Sequence, residues 1–182
     1  MNRMIIFIDA EYVVQKIKDS SESRKRVNRK DINWKNIIKW IVGRRKLIRC
    51  YYYSAAFNKS ENEQTYKEQN EYFKQLKLTI PYFDIKLGRL VRVNGGWVQK
   101  GLDVRIAVDM FDKAVMNHYD IAALITGDSD FAEVISVVKE RFGKHVELYT
   151  FDKSIHEALR LAPDKHTVLD SALGKKYNFW NK

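Results

Sequence analysis

Apolar and polar residues alternate along this chain in blocks that change period, and the blocks predict the elements. Met4 to Ile8 is a short, wholly apolar run, as expected of a strand buried on both faces of a parallel sheet. Tyr12 to Lys18 reads as a helix, and Ser20 to Lys30 as a charged loop. Asp31 then caps a helix carrying Ile32, Ile37, Ile38 and Ile41, stopped by Gly43. Lys46 to Ser54 is a second strand, Ser60 to Leu76 a polar, largely exposed helix, and Leu78 to Phe83 a third strand. Asp84 to Val98 alternates around a turn at Asn94-Gly95-Gly96, the signature of a hairpin. Val104, Ala107, Val108, Phe111 and Val115 follow helical spacing and are expected to face the core. Ile121 to Thr126 is a fourth parallel-type strand. Phe131 to Phe142 is a helix closed by Gly143, and His145 to Thr150 a fifth strand. A short helix at Ile155 to Leu161 and a last strand at Thr167 to Asp170 complete the chain. Strands alternating with helices predict an open α/β sandwich with a parallel sheet, the hairpin inserted near 85–99; in the order 3-2-1-4-5 the ends of the first and fourth strands would adjoin. Residues 1–170 are read as one domain and 171–182 as a tail.

Charge changes this picture. The 182 residues carry a net charge of +10. Residues 16 to 49 hold thirteen basic side chains against three acidic ones, an excess equal to the whole net charge. The densest piece contains Arg24, Lys25, Arg26, Arg29 and Lys30. A concentrated block of this kind attracts phosphate polyanions and releases their counterions, whereas its bland role is a solvated loop. With 45% hydrophobic and 13% aromatic residues the chain is not a disordered one. Its one cysteine, Cys50, excludes an internal disulfide and suits a reducing compartment. The apolar run at Met4 to Ile8, cut by Asp9, is too short for a signal peptide or a membrane span. The expectation is a cytoplasmic protein without a membrane partner.

The candidate chemistry is acidic. Asp9 ends the first strand, Asp128 and Asp130 follow the fourth, and Asp103 begins the helix after the hairpin. In a parallel sheet, ligands bind beyond the carboxyl ends of the strands at the switch point, where these residues would meet. Several carboxylates on one rim raise one another's pKa values unless a cation compensates them. Oxygen donors without a Cys or His cluster point to Mg²⁺ or Mn²⁺. Each acid also has a local role open to it: Asp103 and Asp130 as helix caps, Asp128 as a turn residue, Asp9 as the start of a loop. Asp109 falls on another face of the Asp103 helix and ranks as a supporting residue, as does Glu11 beside Asp9. Thr126 and Ser129 offer hydroxyls to a bound water or phosphate. Lys100 could touch a scissile phosphate, and Arg92 and Arg105 extend positive charge along the hairpin toward the acids.

The run Trp97-Val-Gln-Lys-Gly-Leu-Asp-Val-Arg-Ile-Ala-Val-Asp-Met110 closely resembles the NYN domain family, the LabA-like branch of the PIN-like nucleases. So do Tyr119-Asp-Ile-Ala-Ala-Leu-Ile-Thr-Gly-Asp-Ser-Asp-Phe131, the acid Asp9, and the closing Leu159 to Asp170. The resemblance implies a PIN-like three-layer fold and Mg²⁺- or Mn²⁺-dependent cleavage of RNA. Asp9, Asp103, Asp128 and Asp130 match the family's metal-binding acids, and Asp109 a further acid of the pattern. The family carries Asn three residues after its first Asp, where this chain has Tyr12.

Three functions follow as expectations. The first is a ribonuclease hydrolysing single-stranded or loop RNA with metal-activated water. The second is an RNA-binding module with little or no catalysis, favoured by Tyr12 and the basic block. The third, minor reading is a phosphatase of the haloacid dehalogenase type, whose second Asp would be replaced by Glu11. RNA is the expected partner, with DNA the alternative polyanion, and a homodimer is left open.

Overall fold

A computed structural model of the protein describes residues 1–20, 29–57, 59–60, 62–93, 96–151 and 153–180. Six strands form one sheet in which every neighbouring pair is parallel. They are β1 (Arg3–Asp9), β2 (Lys46–Ser54), β3 (Phe83–Leu87), β6 (Ile121–Ile125), β7 (His145–Thr150) and β8 (Lys165–Val168), ordered β3-β2-β1-β6-β7-β8. The hairpin strands β4 (Arg89–Val93) and β5 (Gly96–Lys100) pair antiparallel outside that sheet. The expected order therefore holds, extended by a sixth strand.

Strand periodicity sorts the core into two halves. Met4, Ile6 and Ile8 face one side, where α1 (Ala10–Ser20), α2 (Trp34–Val42) and α3 (Glu63–Thr79) supply Val13, Val14, Trp34, Ile37, Ile41, Phe73 and Leu76. Ile5 and Phe7 face the other, under α4 (Leu102–Val115), α5 (Phe131–Phe142) and the short α6 (Glu157–Leu161). Each fully buried aliphatic side chain contributes about 1.5–3 kcal/mol, so the two apolar layers hold the sheet between them. A last helix, α7 (Ser171–Tyr177), and the residues after it dock on α2. Phe179 is fully buried against Trp40, and the Asn33 N–H donates to its carbonyl at 2.7 Å.

Four local expectations are corrected. The third strand lies at Phe83–Leu87, because α3 continues to Thr79 to bury Phe73 and Leu76 and leaves Leu78 exposed. The hairpin begins at Arg89, since Asp84 to Leu87 pair with β2. The α2 cap is Asn33, which accepts from the Asn36 N–H at 3.1 Å; Asp31 sits in a 3₁₀ turn before it. Helix α4 buries Leu102, Ile106, Met110 and Ala114, and exposes Val104, Val108 and Val115. Apolar residues at helical spacing occupy two stripes of this helix, and periodicity alone does not choose between them. The chosen stripe keeps Asp103 within about 40° of the face that meets the sheet.

Candidate active site

Strands β1 and β6 are neighbours whose following helices leave on opposite sides of the sheet, so a crevice opens beyond their carboxyl ends. A cleft of about 550 Å³ lies there, lined by Asp9, Glu11, Tyr12, Gln15, Lys16, Gly101, Leu102, Asp103, Gly127 and Asp128. Asp9, at the end of β1, is 8% exposed. Its carboxylate accepts the Tyr12 N–H at 3.2 Å and the Thr126 hydroxyl at 3.1 Å. No cation neutralises it among the described contacts. Burial, with repulsion from Asp103 and Glu11, outweighs those two hydrogen bonds and raises its pKa to about 6.

Asp103 reaches the cleft because Gly101 adopts a left-handed conformation, φ 79°, which turns the chain from β5 into α4. Partial burial of its carboxyl and the nearby charges of Asp128 and Asp130 push its pKa up as well. Asp128 follows β6. Thr126 Oγ1 accepts the Asp128 N–H at 3.3 Å, and Asp128 accepts the Asp130 N–H at 3.0 Å. Asp130 stands at the rim, exposed, and makes no side-chain cap for α5. Three of the four expected acids thus share one cleft and the fourth acts on it through its charge.

The supporting residues divide. Thr126 is buried and orients Asp9, while Ser129 is exposed and serves the turn through its carbonyl, which accepts the Ala132 N–H. Asp109 lies away from the cleft and accepts the Tyr53 hydroxyl at 2.8 Å. Glu11 lines the cleft, but Arg29 holds both its oxygens at 2.8 and 2.9 Å, and the Ser54 hydroxyl and Ala55 N–H donate to it at 3.0 Å each. Arg29, expected to contact the substrate, is therefore a partner of Glu11, and its other terminal nitrogen donates to Ser54. Tyr12 reaches across the cleft floor. Its hydroxyl accepts the Phe151 N–H at 3.0 Å, and its ring lies so close to Gly127 that a Cβ there would sit 2.4 Å from it. A residue larger than glycine at position 127 would displace Tyr12 or the turn bearing Asp128.

The expected basic contacts are more scattered. Lys100 ends β5, exposed, one residue before Gly101. Arg105 donates to the Leu87 carbonyl at 3.1 Å, and Lys30 borders a separate groove between α2 and α3. Arg24, Lys25 and Arg26 lie outside the described residues, as does the side chain of Arg92. The cation that does line the cleft is Lys16, with Gln15 beside it. Both follow Tyr12 at helical spacing, a signal the sequence contained.

The donor set suits a hard divalent cation: among the described lining residues there are carboxylate oxygens and no thiol or imidazole, and burial with mutual repulsion raises the pKa values of Asp9 and Asp103. As the side chains stand, no three His, Cys, Asp or Glu among the described residues are gathered tightly enough to hold an ion.

The model of the NYN domain family matches residues 3–170. No curated protein matches the chain. Among solved structures, a protein of unknown function from Vibrio parahaemolyticus is similar, with a TM-score of 0.73 at 17% identity, covering 99% of this chain and 96% of that one. No helix among the described residues is long and apolar enough to cross a membrane. With the family match running over nearly the whole length, through every acid of the cleft, the chain belongs to the NYN domain family, whose domains are nuclease-like and of PIN-like fold.

Proposed function

We propose that the protein is a metal-dependent ribonuclease acting on single-stranded or loop RNA. One observation carries the reading: Asp9, Asp103 and Asp128 come from three separate elements to one cleft, where burial and the charges of neighbouring acids hold Asp9 and Asp103 above the usual carboxylate range. An acid rim of that kind cannot bind a phosphodiester by itself, since like charges repel. PIN-like nucleases generally use divalent metals, and Asp9, Asp103 and Asp128 would hold Mg²⁺ or Mn²⁺ here, with Asp130 adding charge at the rim. Such an ion supplies two things: charge neutralisation at the phosphate and a lower pKa for water. The chain's own residues do the rest. Thr126 and the Tyr12 N–H fix the Asp9 carboxylate. Arg29 and Ser54 keep Glu11 out of the metal-binding set. Tyr12, clamped between Gly127 and Phe151, sets the floor against which the Asp128 turn is held. Lys16 lines the same cleft and offers a cation to the strand's phosphate.

The test is cleavage of an unstructured RNA with and without Mg²⁺ or Mn²⁺. Asp128→Asn should reduce the rate by about 10³-fold or more while RNA binding persists. Unchanged cleavage in that variant would overturn the reading. The specific observation favouring a binding-only module is that the carboxylates do not stand as a three-ligand set. Salt-dependent binding of RNA with no metal-dependent turnover in the wild-type protein would select that reading instead.

A further inference from the structure

Helix α4 has one buried apolar stripe and one exposed apolar stripe. Val104 is 66% exposed, Val108 56% and Val115 62%, with Met116 at 60% just past the helix end. On an ideal helix the three valines fall within about 40° of one another. Phe111 lies in the same stripe, its ring turned toward Phe142 of α5. Together they expose roughly 400 Å² of apolar surface, the size of the largest apolar patch on a typical monomer, which is often functional.

We propose that two copies of this chain associate through the exposed face of α4, packed antiparallel about a twofold axis. Two features of the face select a second copy as the occupant. The first is charge. Arg105 and Asp112 are exposed and flank the same side of the stripe, seven residues apart; each also has a partner in its own chain, the Leu87 carbonyl for Arg105 and Lys113 for Asp112. In an antiparallel twofold contact each flank meets its own counterpart reversed, so Arg105 of one copy stands by Asp112 of the other, twice. The same register sets Val104 over the second copy's Val115 and Val108 over its Phe111. The second feature is area. A twofold contact buries the patch from both sides, roughly 800 Å² of apolar surface. With a polar rim this approaches the roughly 1,200 Å² at the lower end of stable interfaces. Helix α2, which lies in the basic stretch of the chain, is on the other side of the sheet from α4, so its charge is kept away from the pairing. Helix α4 is about 21 Å long, so the pairing leaves the two clefts at opposite ends of the interface.

The experiment is sedimentation of the intact protein from about 1 to about 200 µM, where a contact of this size is expected to dimerise. Val108→Glu places two like charges in the apolar centre and should weaken association by about 100-fold or more. Val104→Ser with Val115→Ser removes apolar area without adding charge and should weaken it as well. Arg105→Asp should weaken it, and adding Asp112→Arg should restore it. A wild-type protein that stays monomeric throughout, or a dimer that survives both valine variants with an unchanged melting temperature, overturns the proposal. Neither result touches the nuclease reading, which is judged on RNA cleavage alone.

Discussion

The two edges of the central sheet both carry acids, and they treat them in opposite ways. At the edge where the strands begin, Asp120, Glu147 and Asp164 each have a cation. Asp120 is held by Arg3 at 2.7 Å, Glu147 by Arg45 at 2.7 Å, and Asp164 by Lys139 at 3.2 Å. The Arg3 hydrogen bonds lower Asp120 to about 2. Burial alone would raise Glu147 and Asp164. Tyr149 and Arg45 more than offset this for Glu147, and the Val146 N–H and Lys139 do so for Asp164. At the edge where the strands end, burial and mutual repulsion win, and Asp9 and Asp103 are raised. The same residue type is structural where the fold supplies its counter-charge and available for chemistry where the fold withholds it. Glu11 marks the boundary: it lies in the cleft, yet Arg29 gives it a counter-charge.

Removing one member of each kind should separate the edges. The largest stability loss is expected at the paired edge. Arg45→Ala leaves Glu147, which is 5% exposed, with the Tyr149 hydroxyl as donor but without its guanidinium, and should destabilise the protein by about 2–3 kcal/mol in denaturant titration. At the unpaired edge the sign reverses. The folded pKa of Asp9 lies near 6, above its unfolded value near 4, so the folded state binds the extra proton between those limits. Stability should fall as pH rises from about 4 to about 6, and Asp9→Asn should relieve up to about 3 kcal/mol at pH 7. The same variant should lose any thermal stabilisation that Mg²⁺ or Mn²⁺ gives the wild type. A destabilised Asp9→Asn at pH 7 would break the contrast. The smallest effect belongs to Asp120, exposed on the surface. Its lowered pKa means the Arg3 contribution is present above about pH 4 and fades toward about pH 2. Asp120→Asn should flatten the acid limb of the stability profile in that window and change little at pH 7.

Strands β1 and β6 were legible because parallel strands buried on both faces are continuous apolar runs, and Met4 to Ile8 and Ile121 to Thr126 can be little else. The acids were legible because Asp9 and Asp128 sit just past those runs. The third strand was not: Leu78 and Ile80 look like a strand, but packing of Phe73 and Leu76 carries α3 through Leu78 to Thr79. Nor was the α4 face, since both stripes satisfy a helical period. The Arg29–Glu11 pair spans eighteen residues and the Tyr53–Asp109 bond fifty-six, and no local pattern announces either.

By itself, then, the order of residues determined most of the strands and which edge would carry Asp9, Asp103 and Asp128. These depend on hydrophobic period and on where polar residues interrupt it, both properties of short stretches. Only the tertiary structure decided which acids receive a counter-charge, that Tyr12 braces the Asp128 turn, and that a second apolar stripe of α4 is left facing outward. Those outcomes depend on distances between segments remote in the chain, and burial and Coulomb energies follow distance in space, not separation in sequence.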